Sequence, residues 1–142
     1  MADAGLVDAA VMEVLANDAT LTGLCPDGVF WGRAPAGATA FVVAALFDHT
    51  DTPALAGITL YETTVYLVKA VILASSKTPS RTAAARIHTL LHGAVLDLTA
   101  AGYVAMTCRR VERVAYPEID PVNASTWHHG GGQYEVMAHP AP

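Results

Sequence analysis

The stretch Ile58–Leu73, ITLYETTVYLVKAVIL, constrains the fold of this chain more than any other. It runs for sixteen residues without Gly, Pro, Asn or Asp. β-Branched and aromatic side chains dominate it, as a pleated, packed surface favours. One alternating set reads Ile58, Leu60, Glu62, Thr64, Tyr66, Val68, Ala70, Ile72, and the other Tyr61, Thr63, Val65, Leu67, Lys69, Val71, Leu73. Neither set is consistently polar. A strand with one wet face alternates cleanly, whereas one covered on both faces need not. The stretch therefore predicts a long central strand with helices on one face. On the other face, a second copy of the chain is a candidate cover.

A length of 142 residues predicts a single domain, residues 1–142. Charged residues make up 15% of the chain, against about 25% in a typical globular domain. So little charge, with 53% hydrophobic residues, points to surface hidden in an assembly. The net charge of −5 argues against a nucleic-acid footprint, which needs a basic stripe. The nearest thing to one is Arg109, Arg110 and Arg113, read as a partner-facing or solvated strand edge. Cys25 and Cys108 are too few for a disulfide framework and read as reduced, packed thiols of a cytosolic protein. No charge-free apolar run reaches membrane-spanning length, and the N-terminal residues lack a positive signal-peptide region.

In chain order, Ala4–Ala16 reads as a helix with an apolar stripe of Val7, Val11, Val14 and Leu15, capped by Asp3. Asp18 caps a short turn, and Val29–Trp31 is a short strand. Gly32–Thr39 is a loop, Ala40–Phe47 the second strand and His49–Gly57 a polar loop leading into the central strand. Neighbouring strands usually pair, which predicts a hairpin there. Thr78 caps the next helix, Pro79–His92, with Pro79 in its first turn and Gly93 as its stop. Tyr103–Tyr116 and Trp127–Ala138 are the last strands, joined by the loop Tyr116–Ser125. The fold class is α+β: a mostly antiparallel sheet of four to five strands, two main helices on one face, order α-β-β-β-α-β-β.

The chemical motifs are sparse. His129-Gly130-Gly131-Gly132 spells an esterase oxyanion motif, but the chain has no Gly-x-Ser-x-Gly elbow and only ten residues follow. The glycines read instead as a bulge, a hairpin tip or a close backbone approach. His88 and His92 lie one helical turn apart and can grip a metal, with His128, His129 or His49 as further ligands. The Glu that a metalloprotease places after its first His is missing, and Arg81 repels a cation. A small hydrolase on these histidines is one alternative, and a monomeric ligand-binding module near Trp127 another. Asp48-His49-Thr50-Asp51 lacks the Gly and closing Glu of a calcium loop. Glu118 and Asp120 read as salt-bridge partners for the arginines rather than as an acid–base pair. Trp31 reads as core and Trp127 as an interface or loop anchor. No catalytic set, cofactor motif or metal site is expected.

One pattern spans Val7 to Val136. It consists of an amphipathic helix, Leu21-Thr22-Gly23-Leu24, Val29-Phe30-Trp31 followed by Arg33-Ala34-Pro35, and Ala40-Phe41-Val42-Val43. It continues through the long strand, the Ala-rich helix, Arg113-Val114-Ala115-Tyr116-Pro117-Glu118, Trp127-His128-His129-Gly130-Gly131 and Gln133-Tyr134-Glu135-Val136. This resembles the tail-completion (tail-terminator, tail-to-head joining) proteins of long-tailed bacteriophages. The resemblance implies a structural, non-enzymatic virion protein. Its subunits would form a sixfold ring with copies of themselves, seated on the tail tube protein and facing a head-side connector or stopper. Genomic DNA would pass through the channel without specific binding. Location would be the host cytoplasm and then the virion, with no membrane partner. Candidate contact residues are Arg33 and Pro35, Asp48 and Asp51, the three β-strand arginines, Glu118 and Asp120, and Trp127. A head-side adaptor of the same neck is the nearest alternative.

Overall fold

The computed structural model describes residues 4–54, 57–122 and 124–142. Asp3, expected as a cap, lies outside them. The first helix, α1 (Ala4–Ala16), buries Val7, Val11 and Leu15, spaced four apart along one stripe. Asp18 caps α2 (Ala19–Leu24), its Oδ2 accepting the Leu21 amide at 2.8 Å. The same carboxylate accepts two bonds from Arg86, at 2.9 and 2.6 Å, and so ties α2 to the third helix. That helix, α3 (Thr78–Leu91), buries Ser80, Ala83, Ile87 and Leu91. It ends before Gly93, whose φ of 77° suits glycine. Thr78 is not its cap, as expected, but its first residue; the Ser76 hydroxyl accepts the Thr78 amide at 3.4 Å.

The five strands are β1 (Val29–Trp31), β2 (Ala40–Pro53), β3 (Thr59–Leu73), β4 (Tyr103–Ile119) and β5 (Thr126–Pro140). Their order is β1-β2-β3-β5-β4, so the Ile58–Leu73 stretch does form the central strand. β2 and β3 form the expected hairpin. Three pairings are antiparallel, and β1 joins β2 in parallel. The sheet is thus mixed but mostly antiparallel.

Three strands are longer than the sequence predicts. β2 continues through His49–Pro53, β4 runs to Ile119 rather than ending at Tyr116, and β5 reaches Pro140. The first part of the predicted loop His49–Gly57 pairs with β3 instead, from His49↔Thr64 to Pro53↔Thr59. Beyond Glu62↔Ala138, β3 has no β5 residue beside it, so the end of this hairpin stands out as a two-stranded arm.

All three helices lie on one face. Tyr66, Val68, Ala70 and Ile72 of β3, Val42 and Ala44 of β2, and Tyr134 and Val136 of β5 pack there against Val11, Leu15, Ile87 and Leu91. The Tyr66 hydroxyl donates to Asp8 of α1 at 2.6 Å. Cys25 and Cys108 are buried free thiols, each pushed up to about 11 by burial, as packing residues should be. Trp31, expected in the core, is 43% exposed and stands edge-on to Tyr66 at the sheet margin. A three-residue edge strand has too few neighbours to bury it.

Arg86 holds the Asp18 carboxyl down to about 2, below its ordinary 3.8. A carboxylate with a depressed native pKa stabilises the fold above its unfolded value, and that stability is lost as pH falls from about 4 toward 2. Asp18→Asn keeps a capping oxygen but loses the charge. It should melt below the parent protein at pH 7, with the gap narrowing toward pH 2. Melting curves that stay parallel across that range would refute the linkage.

Candidate interaction face

The face of the sheet opposite the helices carries Val43 and Ala45 of β2, Val65, Leu67, Lys69 and Val71 of β3, and His129, Gln133 and Glu135 of β5. Most of these side chains are only half-buried, because no layer of the described residues covers them. The exception is the end near Trp127. There the loop 32–39, returning from β1 to β2, folds over the sheet and reduces Val71 to 5% exposure. A cavity of about 350 Å³ lies beneath the loop.

This cavity brings together four of the ten candidate residues: Arg33, Pro35, Glu118 and Trp127. Trp127 packs on Phe41, with ring centroids 6.2 Å apart, and Phe41 meets Phe30 at 6.4 Å. Sequence reasoning missed two further lining or flanking residues, Lys69 and Tyr116, and had weighed His129 as a metal ligand instead. Lys69 donates to the Tyr116 hydroxyl at 2.8 Å, and Tyr116 stacks on His129 at 4.3 Å. A lone Lys in an apolar alternation set was the available signal for the first of them.

His129 is 8% exposed, and among the described residues neither ring nitrogen has a hydrogen-bond partner. Glu118 Oε1 is its nearest acid, 3.8 Å from Nε2, too far for a hydrogen bond. Burial pushes its pKa down, Lys69 adds to the effect and Glu118 opposes it. His88 is also lowered, by burial first and then by Arg110, His92 and Arg113. A His with a depressed native pKa confers stability that is complete above the ordinary value near 6.5 and lost as pH falls below it. His129→Phe keeps a ring against Tyr116 and should flatten the fall in melting temperature between pH 7.5 and 5.5. An unchanged slope would exclude His129 as a source of that dependence.

The other six candidates lie elsewhere. Asp48 and Asp51 sit on β2 near the arm, and His49 Nε2 lies 3.2 Å from Asp51 Oδ1. Arg109 pairs with Glu135 at 3.1 Å rather than with Glu118 or Asp120. Asp120 shapes the β4–β5 turn, its Oδ1 accepting the Val122 amide at 2.9 Å. Arg110 and Arg113 face the helix side, in a cleft of about 490 Å³ between α3 and β4 that Arg81 and His88 also line.

The histidines do not converge. His88 and His92 stack on each other at 4.5 Å, and His92 Nδ1 accepts the Arg110 amide at 3.1 Å. His129 is on the opposite face. Among the described residues, the three-ligand grouping is His49, Asp51 and Glu62 on the β2–β3 hairpin. The Gly130–Gly132 run neither bulges nor turns. β5 is continuous through it, and the bulges fall in β2, β3 and β4. The glycines allow close approach: a Cβ at Gly130 would lie 2.9 Å from the Ser80 carbonyl oxygen, and one at Gly132 2.7 Å from that of Glu112.

No protein-family model matches this chain, and no curated protein matches it. Among solved structures, it is similar to a chain from a virion of a native gene transfer agent (GTA) particle, with a TM-score of 0.66 and 19% identity. The match covers 95% of this chain and 96% of that one, and it shows a shared fold along essentially the whole length of both.

Proposed function

We propose that this chain is a structural protein of a phage-like virion. More narrowly, it is a tail-completion subunit that closes into a homo-oligomeric ring, a hexamer, at the head-proximal end of the tail tube. The observation that carries this reading is the sheet face left bare opposite the helices, in a fold shared end to end with a chain of a GTA virion. Apolar side chains grouped without a cover, as Ala45, Val65 and Leu67 are here, mark protein contacts. Both margins of the sheet add to it. Among the described residues, β4 has no strand on its outer side, and β2 has none beyond Ala44. Edges like these pair with other chains unless they are blocked or closed.

In this reading the ring ends tube growth, because a closed cycle leaves no free edge to extend. Its two rims meet the tail tube protein and a head-side connector or stopper. Genomic DNA passes through without specific contact, since DNA affinity comes from neutralised phosphates and the chain carries a net −5. Assembly takes place in host cytoplasm and the product resides in the virion. The work is mechanical and needs no catalysis.

The test is co-assembly. Mixed with purified tail tubes lacking their cap, the protein should appear as a ring at one tube end in electron micrographs, and the tubes should stop growing. Binding to portal-bearing heads and not to tubes would replace this role with that of a head-side adaptor. Binding to neither would end the virion reading.

A further inference from the structure

The two margins of the sheet carry opposite charge. On the β4 side, Arg81, Arg110 and Arg113 line the cleft against α3, and no carboxylate lines it. Among the described residues, no acid lies within ion-pair distance of any of the three. They are three of only eight Lys and Arg side chains in the chain. On the β2 side, residues 45–53 form a free edge with Asp48 and Asp51 and no Lys or Arg. Asp51 lies directly across from Glu62. Like charges opposed on neighbouring strands are destabilising, and the nearby His49 relieves this only when protonated.

The register adds a directional match. Asp51 pairs with Glu62, which pairs with the core residue Ala138. Arg110 pairs with the core residue Tyr134, and Arg113 with Gly132, whose partner on β3 is the core residue Val68. Cross-strand partners share a face. All of these side chains therefore project from the helix-bearing side. If β2 of one copy lay along β4 of the next, Asp51 and Glu62 would come to the cleft and not to the far face.

We infer that copies of this chain join head to tail, the Asp51–Glu62 margin of one subunit seating in the Arg81–Arg110–Arg113 cleft of its neighbour. This rests on the ring reading above and names the contact that builds the ring. Guanidinium groups suit the site because they bind carboxylates in a planar, two-point geometry. The two surfaces differ and lie on opposite margins, so each subunit offers one of each. Such a contact either closes into a ring or runs on as a filament. The sparse positive charge elsewhere disfavours DNA as the occupant of the cleft.

The test pairs a cross-link with a charge swap. In Asp51→Cys/Arg113→Cys, mild oxidation should give a ladder of covalent oligomers, while each single variant goes no further than a dimer. The native thiols are buried. Arg113→Asp or Asp51→Arg alone should weaken assembly about tenfold or more, as like charges at an interface do, and the two together in one chain should restore it. Sedimentation velocity reads these variants beside the parent. A parent that forms rings, with charge-reversed variants that assemble equally well and a double-cysteine variant that gives no ladder, would overturn this contact and leave the ring standing. A parent that stays monomeric both alone and with tail tubes would overturn both.

Discussion

Gly131→Ala should lower the melting temperature by about 10 °C, because no other glycine described would set its methyl so close to a neighbour. Gly131 lies mid-strand in β5, paired with Lys69 of the central strand on one side and Val114 of β4 on the other. A Cβ there would overlap the Val68 carbonyl oxygen, 2.6 Å from the Lys69 Cα and 2.9 Å from the Val68 carbonyl carbon. These are backbone atoms of β3 and cannot turn aside as a side chain would. Relief requires β3 and β5 to part, which breaks ladder bonds across the middle of the sheet. Overpacking commonly costs about 1–3 kcal/mol, and an obstacle made of backbone puts this case at the top of that range. For a chain of this size each kcal/mol is worth roughly 3–4 °C. The control is Gly23→Ala in α2. Its added Cβ meets nothing within 4 Å, and helix propensity favours Ala by up to about 1 kcal/mol. Thermal unfolding followed by circular dichroism separates the two. A Gly131→Ala protein melting within a few degrees of the parent would mean the strands are not so tightly joined.

That site also shows what the sequence could and could not convey. The apolar spacing of α1 and the unbroken β-branched run of β3 placed both elements, because each depends on its own residues. His49–Gly57 read as a loop because its first side chains are polar and Pro53 interrupts it. On a free edge polar side chains face water at no cost, and a terminal Pro surrenders no needed bond. The parallel pairing of β1 had no local signal, since three residues cannot declare a direction. Arg33, Pro35, Glu118 and Trp127 were each marked as contact residues, yet their meeting depends on the path of the loop 32–39 over the sheet. Lys69, Tyr116 and His129 come from three different strands and meet only through the register.

The arginines give the clearest physical reason. Simple alternation puts Arg109 and Arg113 on one face of β4 and Arg110 on the other. The register shift between Arg110 and Glu112 inserts Val111 as an extra residue. Everything after it changes face, so Arg113 joins Arg110 in the cleft while Arg109 remains with Glu135. A one-residue slip reverses the assignment of every following side chain, and no residue type in that segment announces it.

On the ring reading proposed above, Leu67→Glu should block assembly on the tail tube and leave the monomer folded. Leu67 lies on the bare side of the central strand, flanked by Ala45 and Gln133. In the isolated chain it is half-buried, with solvent within reach, so a carboxylate there can stay hydrated and the cost to folding is small. In the proposed collar this face is covered, by the tail tube or a neighbouring copy, and an unpaired carboxylate there must lose its water. Desolvating an unpartnered polar group costs about 1–3 kcal/mol by protein measurements and more for a charge. At 1.4 kcal/mol per decade of affinity, that is roughly a tenfold to hundredfold loss at the contact that covers this face. A ring compounds the loss, because it needs every contact at once. Ala9→Glu, on the exposed side of α1, adds the same charge away from this face and should assemble normally. Sedimentation velocity and micrographs of protein mixed with tail tubes report the outcome. If Leu67→Glu forms rings as readily as the parent, the bare face is not the surface that neighbouring copies or the tube cover, and the apolar residues displayed there need another occupant.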